Sequence, residues 1–81
     1  MTNLGKQKND QQATYQICVQ GRLGERWLSW FEDLAISVEI GSDGRPITTL
    51  TGAVQDQAGL RGILNKLWDL NLALLSVTRL N

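Results

Sequence analysis

Eighty-one residues leave room for one domain, and eight basic residues balance eight acidic ones at zero formal net charge. A neutral chain lacks the broad positive footprint of a nucleic-acid binder, and no apolar run approaches the ~20 residues that cross a bilayer. The absence of histidine removes the usual proton carrier near neutral pH and the commonest zinc ligand, and one cysteine, Cys18, makes neither an internal disulfide nor a metal cluster. The expectation is no metal and no cofactor. The start of the chain has no apolar stretch of the secretory kind, so the expected compartment is the cytoplasm.

Taken in order, residues 1–13 are polar, carry Lys6, Lys8 and Asp10, and show no period, which predicts a disordered tail ahead of one α+β domain over residues 14–81. Thr14 to Gln20 alternates: Tyr15, Ile17 and Val19 point one way, Gln16, Cys18 and Gln20 the other, as in a half-buried strand. Gly21 ends it. An amphipathic helix is predicted over roughly Leu23 to Leu34, with Trp27, Trp30, Phe31 and Leu34 on its inner stripe. Ile36, Val38 and Ile40 alternate with Ser37 and Glu39 to give a second strand, and Gly41-Ser42-Asp43-Gly44 is turn chemistry for a hairpin. Pro46 suits the first residue of the third strand, Ile47 to Val54, whose threonines favour extended backbone. Gly52 within it predicts a bulge or a close backbone approach.

The second helix is the strongest signal in the chain. Leu60, Ile63, Leu64 and Leu67 fall at i, i+3, i+4 and i+7, Asp56 stands where a carboxylate caps the first turn, and Asn71 where a left-handed residue stops the last. Leu72 onwards reads as a buried fourth strand.

Strand, helix, strand, strand, helix, strand is the ferredoxin-like, or split βαβ, plan. By analogy with that fold the sheet is antiparallel in the order 4-1-3-2, with both helices on one face. The helix side should receive Tyr15, Ile17, Val19, Ile36, Val38, Ile40, Leu50, Val54, Leu75 and Val77. The open side should show Gln16, Cys18, Thr49, Thr51, Leu74 and Ser76 together with Gln20, Ser37, Glu39 and Ile47. A face this poor in charge suits packing against another sheet or a partner, which predicts a homodimer or a protein partner through the sheet or its edge. It carries no aromatic residues, unlike the stacking face of an RNA-recognition sheet.

No set of residues assembles a recognisable active site, and a catalytic role is not expected. Cys18 sits mid-strand with no base beside it in sequence, as a structural cysteine does. The Gly21 to Arg26 stretch is the alternative to an interaction module: Arg22 and Arg26, with Trp27 and Trp30 following, could hold an anion or small molecule. Its Val19-Gln20-Gly21-Arg22 start faintly resembles acylphosphatases, but those enzymes pair their arginine with an asparagine on the third strand, and Ile47 to Val54 contains none.

Residues 15 to 77 resemble a family of short bacterial proteins of unknown function. The residues that carry the likeness are Tyr15, Ile17, Val19, Gly21, Arg26-Trp27, Trp30-Phe31, Leu50, Gly52 and Val54. They continue with Asp56-Gln57-Ala58, Leu60, Gly62, Ile63-Leu64, Lys66, Asp69-Leu70 and Leu74-Leu75-Ser76-Val77. The family pattern has glycine where this chain has Asn71, and often proline at Ala73. The resemblance implies no activity.

Overall fold

The computed structural model describes residues 13–81; the predicted disordered tail otherwise lies outside the described residues. The elements are β1 (Ala13–Gln20), a short helix α1 (Glu25–Leu28) that tightens into a 3-10 turn (Ser29–Phe31), β2 (Ala35–Ile40), β3 (Pro46–Val54), α2 (Gln57–Asp69) and β4 (Ala73–Arg79). The chain is thus α+β. Its four strands form one antiparallel sheet in the order β2-β3-β1-β4, with β1 and β3 central and β2 and β4 at the edges.

Alternation sets the two faces. Ala13, Tyr15, Ile17 and Val19 of β1 are all buried, and β1–β3 register places Ile17 beside Leu50 and Val19 beside Thr48. Phe31, just after α1, and Leu67 of α2 cluster with Ile17, Val19 and Leu50 of this face, so both helices cover one side of the sheet, while Ala13 and Tyr15 cluster with Val54. Thr48 is a polar residue in that apolar layer. Its hydroxyl donates to the Gly21 carbonyl at 2.6 Å, which removes the cost of burying an unpaired O–H.

α2 forms as its signals specify. The Asp56 carboxylate accepts from the Gly59 N–H at 2.8 Å. At the other end Asn71 adopts φ 63°, its N–H donates to the Trp68 carbonyl, and the Leu72 N–H donates to the Leu67 carbonyl. These two bonds make a Schellman stop, with Asn71 in the position glycine usually holds. Asn71→Gly should therefore be neutral or stabilising by up to ~1 kcal/mol; a urea midpoint clearly below that of the unsubstituted protein would refute the cap.

Several expectations change. The first helix is one turn of α-helix rather than twelve residues, because it starts only at Glu25 and tightens at Ser29. A 3-10 turn repeats every three residues instead of 3.6, so Phe31 and Leu34 keep the inner line while Trp30 swings out and is exposed. This shorter helix leaves part of the sheet uncovered: Val38 and Ile40 of β2 lie on the helix side yet are exposed. β4 is likewise an exposed edge, not a buried strand.

The strand β4 also contains a one-residue irregularity. Cys18 pairs with Ser76, but Val19 pairs with Leu74, so Leu75 is the extra residue of a bulge. One inserted residue reverses the alternation, and Leu74 moves from the predicted open face to the helix side, where Leu75 had been expected. β1 begins at Ala13, one residue earlier than expected. Gly52 is a close approach rather than a bulge: its β1 pairing is regular, and a Cβ there would meet Leu34 Cδ2 at 2.7 Å.

Candidate functional site

The predicted site residues fall into two places. Gly21, at φ 117°, turns the chain out of β1, and its N–H donates to the Pro46 carbonyl at 2.8 Å. The turn throws Arg22 to Gly24 across the end of the sheet, towards the stop of α2. A cavity of about 200 Å³ opens between them, with Arg22, Arg26 and Trp27 on one side and Leu23, Leu70 and Leu72 as its apolar wall.

Of the four residues expected at this site, the structure brings three together. Trp30 does not line the cavity; it lies over a separate groove with Phe31, Leu34 and Ile63, its ring edge-on to Phe31 at 4.7 Å. What joins the two tryptophans is Lys66 of α2, whose ammonium sits 4.1 Å from the Trp27 ring centre and 5.5 Å from that of Trp30. Arg26 adds a guanidinium 5.9 Å from Trp27. Indole faces carry negative quadrupole density, so such contacts favour the cations at ~0.5–2 kcal/mol each, depending on desolvation. Lys66 was not among the expected site residues. Its position next to Leu67 in the sequence placed it beside the buried stripe, but which neighbour it would meet is a tertiary fact.

No described carboxylate pairs with the charge in this corner. Among the described residues the ion pair is the exposed Arg45–Asp43 contact in the β2–β3 hairpin, at 3.8 Å. Glu25 sits beside Arg26 in sequence but makes no ion pair with it.

The second place is the sheet itself. Gln16, Cys18, Thr49, Thr51 and Ser76 share the open face, where Cys18 Sγ lies 3.6 Å from Thr49 Oγ1. Glu39 is the one charged residue that strand register puts on this face, among the described residues. Leu74 does not belong to it, for the reason given above.

The match to known families is decided over residues 14–78, which fit the family model described as "Domain of unknown function (DUF8691)". The chain belongs to that family. No curated protein and no solved structure matches it. The DUF8691 match covers both helices, all but the outermost residues of β1 and β4, and both candidate places, so each belongs to the family domain. No helix of the DUF8691 domain is long and apolar enough to cross a membrane.

Proposed function

We propose that this domain is a non-catalytic interaction module, built on the ferredoxin-like plan, that pairs with a second copy of itself along β4. One observation carries the reading. Of the nine large apolar side chains exposed among the described residues, four (Leu74, Leu75, Val77 and Leu80) belong to β4 or directly follow it, and a fifth, Trp68 in the last turn of α2, borders a hollow that reaches Ala73 of β4. Apolar exposure concentrated on a sheet edge is characteristic of an interaction site.

Trp68 extends the same patch. Lys66 reaches towards Trp27, and residues two apart on a helix point ~200° apart, so Trp68 faces away from α1, on the β4 flank. It is 75% exposed and borders a hollow with Asn71, Leu72 and Ala73. A tryptophan at such a place can supply much of an interface's binding energy.

The chemistry of the edge favours a second copy as the occupant. From Asn71 to Thr78 the chain carries no charge, so two identical strands meet without like charges in opposition. The other edge, β2, presents Glu39, which discourages self-pairing. Ser76 lies on the contact side of the open face, with Cys18, Gln16, Thr49 and Thr51 progressively behind it.

Sedimentation equilibrium at about 50 µM should give a dimer, a concentration reached by interfaces of ordinary size. Trp68→Arg with Leu75→Lys should give a monomer of unchanged circular dichroism, both side chains being exposed. A strict monomer for the unsubstituted chain would reject the reading. So would a dimer that survives the double substitution but dissociates with Thr49→Lys, which would place the contact on the open face.

A further inference from the structure

We propose that the cavity beside Trp27 binds a small amphiphilic anion, a carboxylate or phosphate carried on a flat apolar body. The site lies on the flank of α2 opposite Trp68, and the proposal is independent of self-association.

Three cations converge there. Arg22 and Arg26 line the cavity, and Lys66 stands over the indole that forms part of its wall. The described residues contain two other basic side chains besides Arg45, which is paired: Arg61 and Arg79. Half of the basic residues from 13 to 81 therefore lie in this corner, lining the cavity or standing over its indole. Neither nearby carboxylate, Glu25 nor Asp69, comes within ion-pair distance of them.

A structural use for these charges would be to neutralise the carbonyl end of α2, which faces the cavity through Leu70. Three carbonyls of that end already have backbone partners. The Leu70, Asn71 and Leu72 N–H groups donate to the carbonyls of Lys66, Leu67 and Trp68. Arg22, Arg26 and Lys66 make no side-chain hydrogen bond to protein among the described residues. Among the described residues their donors thus have no protein partner, and a guanidinium fork matches the geometry of a carboxylate or phosphate.

The walls define the rest of the ligand. Leu23, Leu70 and Leu72 supply an aliphatic surface and Trp27 a flat aromatic one, in a space of about 200 Å³. A bare inorganic anion would leave that apolar surface wet. An anion with an attached ring would cover it while its charged end meets the arginines.

The test is a titration of the ¹⁵N-labelled protein, with naphthalene-2-carboxylate and 2-naphthyl phosphate as anionic probes and 2-naphthalenemethanol as the neutral one. Saturable shifts of the Trp27 indole N–H and the Gly24 amide are expected with at least one anionic probe, and the comparison of the two identifies the preferred head group. The neutral probe should bind about tenfold more weakly or worse, as should the anions to the Arg22→Ala/Arg26→Ala protein. Arg22→Lys/Arg26→Lys should restore part of the affinity, which a purely structural role would not produce. Equal binding of the neutral probe, undiminished binding to the alanine variant, or shifts confined to Trp68 and β4 would each overturn the proposal.

Discussion

Leu67→Ala should destabilise the domain by ~2–5 kcal/mol, the range for removing a fully buried leucine from a core that collapses only partly around the hole. Leu67 is 2% exposed and is the buried residue that α2 contributes; it packs against Ile17, Val19, Phe31 and Leu50. A domain of this size has a total stability on the order of 5–15 kcal/mol, so the melting temperature should fall by roughly 10 °C or more. The comparison with Leu64→Ala sharpens the test. Leu64 lies on the same stripe but is only half-buried, and its loss should cost about half as much or less. Urea denaturation of the two variants would check the order. A Leu67→Ala midpoint equal to that of the unsubstituted protein, or a larger loss for Leu64→Ala, would mean that α2 is rotated from the packing described.

Gly21→Ala should cost ~1–3 kcal/mol, mainly from backbone strain and to a lesser degree from crowding of a leucine methyl. At φ 117° the backbone occupies a region that only glycine enters freely, and an added Cβ would stand 2.8 Å from Leu72 Cδ2. Gly44 provides the control. It too has a positive φ, 82°, but a Cβ there meets nothing within 4 Å, so Gly44→Ala should show the backbone strain with no crowding. Combining Gly21→Ala with Leu72→Ala should recover the crowding part, measurable as a coupling in a double-mutant cycle of thermal unfolding. Gly21→Ala no more costly than Gly44→Ala would show that the Leu72 side chain moves aside freely. The position bears on binding as well, since Gly21 aims the segment carrying Arg22 and Arg26.

The helix and strand sequence was readable because its signals are local. The Leu60, Ile63, Leu64, Leu67 spacing, the Asp56 carboxylate and the left-handed Asn71 each act within a few residues of chain, and α2 forms between them. The β1 alternation is equally local and places Ala13, Tyr15, Ile17 and Val19 inward. Failures came where a local period met a non-local demand. Trp27, Trp30, Phe31 and Leu34 match a 3.6-residue repeat, yet the segment tightens at Ser29 and leaves Trp30 outside. Alternation in β4 put Leu74 with Cys18, but a single-residue bulge pairs it with Val19.

The candidate site was legible in part. Arg22, Arg26 and Trp27 could be named from the loop that leaves the first strand, and they do share a cavity. Lys66 stands far from them along the chain and joins them because its stretch of α2 lies against Trp27 of α1. No local period reports that neighbour, since it depends on how two helices are laid side by side on the sheet.

The order of elements, the cap and stop of α2, and the inward residues of β1 followed from the sequence alone, because each depends on hydrogen bonds or side-chain periods spanning only a few positions. The exposure of β4, the bulge at Leu75 and the gathering of three cations around Trp27 were decided only in the folded molecule. They depend on what packs over each strand and on how the strands and helices align, and contacts between distant segments fix both.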